Sequence, residues 1–133
     1  MAQSYAFTRT TEDDLILVSA RIGNSIVDLV LDSGASHTFI DFGILIKEGY
    51  RLGDTKGLVP VETANGIIHA NRFDVALLAA LGIQKQNFEV TSYLFDDPES
   101  TFRGVIGLDF LAGTKFCIDL VDCAITIHPA KGT

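Results

Sequence analysis

The sequence has 133 residues, of which 47% are hydrophobic, and this predicts one globular domain over residues 1–133 rather than a disordered chain. Its formal net charge of −7, without any cluster of lysines and arginines, excludes the basic face that nucleic acids and anionic membranes require. No apolar run approaches the ~20 residues of a membrane-spanning helix, so we expect no membrane association.

The cysteines and histidines do not have the pattern of a metal site. The two cysteines, Cys117 and Cys123, are too few for a disulfide framework, and we expect a pair of buried thiols. Together with the three histidines they lack the spacing of metal ligands, so we expect neither a metal nor another cofactor. The N-terminal residues lack a basic start followed by an apolar core, which predicts a cytoplasmic protein.

The chain begins with a mixed polar stretch, residues 1–14, which we interpret as a tail or a leading edge strand. The next residues, 15–32, predict a β-hairpin, because two apolar runs flank the turn dipeptide Gly23-Asn24. This turn places Ile22 opposite Ser25, and the resulting register makes one face of the hairpin almost wholly apolar. The members of that face are Ile16, Val18, Ala20, Ile22, Val27, Leu29 and Leu31. We expect this face to lie in the core and the second strand to carry Asp32 toward the interior.

The segment Asp32-Ser33-Gly34-Ala35-Ser36 ends the second apolar run with a carboxylate at the start of a loop. Buried carboxylates are rare unless they are paired or hydrogen-bonded, and Gly34 leaves room for a second backbone or a ligand. The pattern therefore favours a functional carboxylate at Asp32. The alternative is a strand end followed by an ordinary Asx-type turn.

Residues 38–49 predict a short helix, with Asp41 as its N-cap and Gly49 following its C-terminus. A second hairpin is predicted over residues 58–70, because Asn65-Gly66 supplies a turn with positive φ. Pro60 cannot donate a hydrogen bond to a neighbouring strand, so its strand is expected at an edge. Such a hairpin is either a lid over a cleft or an ordinary surface hairpin.

The second half of the chain predicts further strands. Residues 73–81 and 88–95 are both interpreted as strands, separated by a turn that contains Gly82 and Gln84-Lys85-Gln86. An acidic loop is expected at residues 96–100. A short buried strand over residues 104–107 then leads into a helix that starts at residues 108–111. Residues 115–121 and 123–128 are predicted to form a closing hairpin.

Three of these segments carry a resemblance to a known family. Residues 29–36, Leu-Val-Leu-Asp-Ser-Gly-Ala-Ser, resemble the active-site signature of the retropepsin-like aspartic proteases. Residues 105–111, Val-Ile-Gly-Leu-Asp-Phe-Leu, resemble the apolar pair and glycine that precede a short helix late in that family's chains. Residues 63–66, Thr-Ala-Asn-Gly, resemble the tip of its flap. The segments follow one another in the family's order, and the resemblance covers residues 16–127.

The resemblance implies an all-β, single-lobe closed barrel with a flap hairpin and one or two short helices, assembled as a homodimer. Asp32 from each of two chains would form a catalytic dyad, and the hydroxyl of Ser33 would tie the two loops together. Gly34 would let the backbone approach the dyad, while Ala35 and Ser36 would border a bound peptide or protein substrate. The flap residues implied are Thr63, Ala64, Asn65, Gly66 and Ile67. The residues implied to pack behind the Asp32 loop are Val105, Ile106 and Gly107.

The chemistry implied by this resemblance is that of an aspartic endopeptidase. Two close carboxylates cannot both ionise, so one stays protonated as an acid while the other acts as a base on water. The attacking water then needs no metal, cofactor or covalent intermediate. We expect mostly apolar groove walls, supplied by Val30, Ala64, Ile67 and Ile106, and cleavage favoured on the acidic side of neutrality.

Two other functions compete with this one. A catalytically silent domain of the same fold, used for dimerisation or peptide binding, is possible because fold does not determine function. A serine hydrolase that uses Ser33 or Ser36 with His37 is disfavoured, because the Gly-x-Ser-x-Gly pattern is absent and His37 lies too near in sequence.

Overall fold

The computed structural model describes residues 2–10, 14–94 and 101–128, and they form strands joined by short turns, with two short helices. The strands are β1 (Gln3–Ala6), β2 (Thr8–Arg9), β3 (Ile16–Ile22), β4 (Ser25–Leu31), β5 (Phe39–Asp41), β6 (Leu58–Thr63), β7 (Gly66–Ala80), β8 (Ile83–Tyr93), β9 (Gly104–Ile106), β10 (Lys115–Asp119) and β11 (Ala124–His128). The helices are α1 (Phe42–Lys47) and α2 (Leu108–Leu111), and a 3-10 turn covers Leu52–Asp54. The predicted all-β class with short helices is therefore confirmed, while closure of the barrel and the homodimer stay predictions.

Within the described residues, the strands form an eight-stranded sheet and a three-stranded sheet. The larger sheet has the order β2-β3-β4-β9-β5-β8-β7-β6, and β3 also pairs with β7. The smaller sheet has the order β1-β11-β10. The described part of the N-terminal stretch thus contains two edge strands, β1 and β2, and β6, which contains Pro60, is an edge strand as predicted.

The β3–β4 hairpin has the predicted register and supplies much of the core. Ile22 pairs with Ser25 across the turn, where Gly23 has φ +57°, and Val18 pairs with Leu29. Val18, Ile22 and Leu29 are at most 1% exposed, because alternate residues of a strand point to the same face. Near its far end the hairpin is buried on both faces, which brings the strand that precedes Asp32 through the core.

The predicted helix over residues 38–49 is too long. Residues 39–41 form β5, which pairs with β8 on one side and β9 on the other, so these ladders replace the first helical turn. Asp41 occupies the N-cap position of α1, but its side chain makes no capping hydrogen bond. Gly49 follows the helix with φ +98°, and its N–H donates to the carbonyl of Ile46, as a C-terminal glycine does.

The strand assignment between residues 66 and 93 also needs correction. β7 is one continuous strand of 15 residues, so the second hairpin arm and the strand predicted from Phe73 are a single element. The turn that follows is Leu81-Gly82 alone, with φ +54° and +74°, values typical of a tight two-residue hairpin. Gln84-Lys85-Gln86 therefore belong to β8 and not to a turn. The predicted acidic loop at residues 96–100 lies outside the described residues.

The C-terminal elements agree with the sequence, except for the cysteines. β9, α2 and the β10–β11 hairpin are present, and Asp119 pairs with Ala124 next to the closing turn. The predicted burial of both thiols is wrong, because Cys117 is exposed on the edge strand β10 and Cys123 is half-buried in the turn. Neither α1 nor α2 is long and apolar enough to cross a membrane, and this holds for every helix among the described residues.

Candidate active site

Asp32 follows directly after β4, at the point where the chain leaves the sheet. Its N–H donates to the carbonyl of Ile106 over 3.1 Å, which extends the parallel pairing between β4 and β9 by one residue. Its carboxylate Oδ1 accepts the N–H of Gly34 over 2.8 Å, and its carbonyl accepts the N–H of Ala35 over 3.1 Å. The Asx-type turn is therefore present, and it holds one carboxylate oxygen in a defined direction.

The expectation that the hairpin carries Asp32 into the interior is wrong for the single chain. Leu31 is 7% exposed, whereas Asp32 and the next two residues, Ser33 and Gly34, are exposed. The hydroxyl of Ser33 has no hydrogen-bond partner among the described residues. The strand thus ends at the surface of the chain, and the loop presents its polar groups outward.

The segment that the sequence predicted to lie behind the loop is in that place. Val105 pairs with Val30 and Ile106 pairs with Leu31, and Ile106 is fully buried. A Cβ atom on Gly107 would lie 2.5 Å from the carbonyl oxygen of His37, so only glycine fits beneath the loop. The next N–H, that of Leu108, donates to the carbonyl of Ala35 over 2.8 Å.

A second support for the loop was missed in the sequence. The hydroxyl of Thr38, which is fully buried, donates to Oδ1 of Asp109 over 2.7 Å and accepts the N–H of Gly107 over 3.1 Å. Oδ2 of Asp109 accepts the N–H of Thr38 over 3.1 Å. These bonds join the end of the Asp32 loop to the start of α2. No local pattern predicted them, because the two residues are 71 positions apart.

Next to this loop lies a cleft of about 700 Å³. Residues from the Asp32 loop, from the β6–β7 hairpin and from β8 line it. They are Asp32, Gly34, Ala35, Ser36, His37, Phe39, Val59, Pro60, Val61, Glu62, Ile67, Arg72, Glu89 and Thr91. Of the predicted site, the structure thus brings Asp32, Gly34, Ala35, Ser36 and Ile67 together around one cavity.

The other predicted site residues lie outside this lining, which is defined on the described residues. Ser33 projects from the loop, and the buried Ile106 and Gly107 lie beneath it. At the end of the β6–β7 hairpin, Thr63 pairs with Gly66, so the turn residues are Ala64 and Asn65, and the positive φ of +114° belongs to Gly66 alone.

The predicted apolar walls are only partly correct. Ile67 lines the cleft, but Val30 and Ile106 are buried in the core, and Ala64 lies in the hairpin turn. The remaining walls include several polar residues that the sequence did not predict as walls of the groove. They are His37, Glu62, Arg72, Glu89 and Thr91.

The polar wall contains a cluster of ion pairs. Lys56 Nζ lies 2.9 Å from Glu89 Oε2 and 3.1 Å from Asp74 Oδ1, and Arg72 Nη1 lies 3.5 Å from Glu89 Oε1. The hydrogen bond from Lys56 holds the pKa of Glu89 below its ordinary value against the opposing effect of burial, and the charges of Lys56, Arg72 and His37 add to this lowering. Glu89 is therefore a firmly ionised group at neutral pH.

A serine-hydrolase arrangement is not supported by the loop geometry. Ser36 Oγ lies 3.0 Å from His37 Nδ1, but these are adjacent residues and both are exposed. A nucleophilic serine needs a base that is itself oriented by a third group, and no hydrogen bond from a third group orients His37 among the described residues.

Comparison with known proteins gives a family and a fold. A family model described as gag-polyprotein putative aspartyl protease matches residues 18–113. The crystal structure of a retropepsin-like aspartic protease from Rickettsia conorii is similar, with a TM-score of 0.74 and 23% sequence identity, covering 98% of this chain and 94% of that chain. No curated protein matches the sequence significantly. At 23% sequence identity, this structural likeness shows the fold alone.

Proposed function

Because the chain belongs to the gag-polyprotein putative aspartyl protease family, we propose that it is an aspartic endopeptidase with Asp32 as its catalytic carboxylate. The observation that carries this proposal is the position of Asp32 at a cleft of about 700 Å³, on a loop whose backbone is tied to β9. A peptide in this cleft would lie between the Asp32 loop and the β6–β7 hairpin.

The reaction needs a second carboxylate, and a second copy of the chain supplies it. Of the other cleft carboxylates, Glu89 is tied to Lys56 and Arg72, which favours its ionised form and makes it a poor partner for sharing a proton. The sequence contains one Asp-Ser-Gly motif after an apolar run. A two-fold axis beside Asp32 would bring two copies of this residue together in an isologous dimer.

In this dimer the two carboxylates share one proton. The ionised carboxylate takes a proton from a bound water as that water attacks the peptide carbonyl, and the protonated one donates to the developing oxyanion. The N–H of Gly34 holds Oδ1 of Asp32, which leaves Oδ2 for the proton and the water. Activity is expected on the acidic side of neutrality, because the pair must retain one proton.

The remaining predicted residues support this reaction from three sides. The exposed hydroxyl of Ser33 would reach the partner's loop, while Ala35 and Ser36 would border the peptide. Val105, Ile106 and Gly107 would hold the loop from behind. The flap formed by Thr63, Ala64, Asn65, Gly66 and Ile67 would close over the peptide, which the exposed position of Ile67 in the cleft lining supports.

The test compares two Asp→Asn variants of the same strand and its loop. Asp32→Asn should abolish cleavage of a mixed peptide library, whereas Asp28→Asn, an exposed position outside the cleft lining, should cleave like wild type. An excess of Asp32→Asn chains should also inhibit wild type through mixed dimers. Cleavage by purified Asp32→Asn at the wild-type rate would contradict the assignment.

The silent-domain alternative predicts a different result. Wild type would bind peptides but cleave none of them at acidic or neutral pH, and dilution would change nothing. An active dimer should instead lose specific activity per chain on dilution, since a monomer holds half a site. Two chains together carry a charge of twice −7, or −14, so added salt and mild acid should favour their association.

A further inference from the structure

One wall of the cleft carries charged residues that the proposed reaction does not use. β7 and β8 pair so that Arg72 lies opposite Thr91 and Asp74 lies opposite Glu89. Residues that alternate with these, such as Phe73, are buried in the core. The two strands therefore present an apolar face to the core and a charged face to the cleft side.

Within this charged face, Arg72 is the cation with unused hydrogen-bonding capacity. Lys56 contacts two carboxylates, whereas the guanidinium of Arg72 reaches only Glu89, over 3.5 Å, among the described residues. The buried Nε of Arg72 has no hydrogen-bond partner within residues 2–10, 14–94 and 101–128. A guanidinium has five N–H donors arranged to bind a carboxylate through two of them at once.

Arg72 is also held in position at the cleft. Its N–H donates to the carbonyl of Gly57 over 3.0 Å, and its carbonyl accepts the N–H of Lys56 over 2.8 Å. Its side chain is 34% exposed and lines the cavity together with Asp32. The backbone of Arg72 is thus anchored, while its side chain is partly accessible.

We infer that Arg72 is a specificity-determining residue that binds an acidic side chain, Asp or Glu, of the substrate peptide. The inference rests on the proposed function, since it assigns a substrate class to the same cleft. The charged groups that face this position are the cations Lys56 and Arg72, with His37 nearby, and the anions Glu89 and Asp74. Glu89 pairs with both Lys56 and Arg72, and Lys56 has Asp74 as a second anionic partner. A carboxylate of the substrate would give Arg72 a second anionic partner as well.

Glu62 restricts where the acidic side chain can bind. This residue lies on β6, on the hairpin that faces the Asp32 loop, and its carboxylate repels a substrate carboxylate. We therefore expect the acidic preference at one substrate position, the one beside Arg72, and apolar preferences where Ile67 and Phe39 form the wall. This differs from the mostly apolar groove, with apolar preferences on both sides of the cleaved bond, that the sequence predicted.

The test uses peptides that differ at one position only, with Glu, Gln, Leu or Lys placed there, and moves this position along the peptide. At one position wild type should have a higher kcat/KM for Glu than for Leu.

Arg72→Gln should lower the Glu-to-Leu ratio of kcat/KM about tenfold, roughly the contribution of one charge-assisted hydrogen bond, and Arg72→Lys should lower it less. Glu89→Gln should raise the ratio, since it releases both cations. Arg21→Gln, an exposed arginine outside the cleft lining, should leave it unchanged.

Peptide binding to Asp32→Asn separates this inference from the proposed function. If Arg72 recognises the acidic side chain, the inactive variant should bind the Glu peptide more tightly than the Leu peptide, and adding Arg72→Gln should remove the difference. Such binding without any cleavage by wild type would contradict the protease proposal alone. Cleavage with no acidic preference, a preference for Lys, or an Arg72→Gln variant with an unchanged ratio would overturn the inference alone.

Discussion

The β3–β4 hairpin, which leads into the Asp32 loop, and the β6–β7 hairpin, which lines the cleft, have similar turns and very different surroundings. Each joins two antiparallel strands through a two-residue turn that contains or adjoins a glycine with positive φ, Gly23 in one and Gly66 in the other. Val18 in the β3–β4 hairpin is 1% exposed, whereas Leu58 and Ile67 in the β6–β7 hairpin are 60% and 63% exposed. Turn chemistry therefore predicts both hairpins, but burial decides which one is the scaffold.

The contrast extends to the segments attached to each hairpin. β4 leads into the Asp32 loop, which Ile106, Gly107 and Thr38 hold through backbone and hydroxyl hydrogen bonds. β6 is an edge strand, and among the described strands it pairs with β7 alone. We expect local stability to be high around Asp32 and low at the β6–β7 turn, as in enzymes that open and close over a rigid site.

The largest effect is expected from a methyl group beneath the Asp32 loop. Gly107→Ala places a Cβ 2.5 Å from the carbonyl oxygen of His37, so the backbone must shift, and the free energy of unfolding should fall by about 3 kcal/mol. Gly66→Ala places a Cβ that has none of the described atoms within 4 Å, apart from its chain neighbours, so the strain comes from its φ of +114°, at about 1 kcal/mol. Urea unfolding of both variants measures this difference, and equal losses would remove the contrast between the Asp32 loop and the β6–β7 turn.

The next effect tests the hydroxyl that joins the loop to α2. Thr38→Val leaves the N–H of Gly107 without its acceptor in a buried site and removes one of the two hydrogen bonds to Oδ1 of Asp109, which should cost about 2 kcal/mol of stability. Thr38→Ser keeps the hydroxyl and should recover most of this loss. Chemical denaturation checks both values, and a Val variant as stable as the Ser variant would show that the hydroxyl does not support the loop.

A smaller effect concerns the clamp on the β3–β4 turn. Glu48 accepts the N–H of Asn24 over 2.8 Å and the hydroxyl of Ser25. The Ser25 bond, and after it the Asn24 bond, lower the pKa of Glu48 from its ordinary value of 4.5. Glu48→Gln should cost at most about 1 kcal/mol at neutral pH, because solvent screens this partly exposed group.

The sign of the Glu48 effect with pH follows from its lowered pKa. The stabilisation by ionised Glu48 is fully present above its ordinary value of 4.5 and is lost as pH falls through the lower value in the folded chain. The stability difference between wild type and Glu48→Gln should therefore shrink in acid. Urea midpoints across that range measure it, and a difference that grows in acid would argue against the clamp.

The smallest effect on stability is expected in the β6–β7 hairpin. Ile67→Ser removes an apolar side chain that is 63% exposed, so the free energy of unfolding should change by less than about 0.5 kcal/mol. If Ile67 packs on the bound peptide, kcat/KM should nevertheless fall about tenfold. Measuring unfolding and peptide cleavage on one preparation separates the effect on stability from the effect on activity. An unchanged kcat/KM would remove Ile67 from the proposed flap.

Local sequence patterns were sufficient for much of the scaffold. Gly23-Asn24 predicted the hairpin and its register, because a two-residue turn determines which residues face each other. Pro60 predicted an edge strand, because a residue without an N–H cannot pair on both sides. The apolar run before Asp32 and the segment over residues 104–111 also matched the observed elements. These features depend on neighbours within a few residues, so the chain itself specifies them.

The rest required the tertiary structure, because it depends on residues that are distant in sequence. β5 replaced a helical turn since two strands were available to pair with it, and Cys117 is exposed since β10 lies at an edge. Asp109 supports the Asp32 loop through Thr38, 71 residues away, and Arg72 reaches Glu89 diagonally across the paired strands β7 and β8. The sequence by itself determined which residues can turn, alternate and ionise; only the folded chain decided which of them share a wall of the cleft.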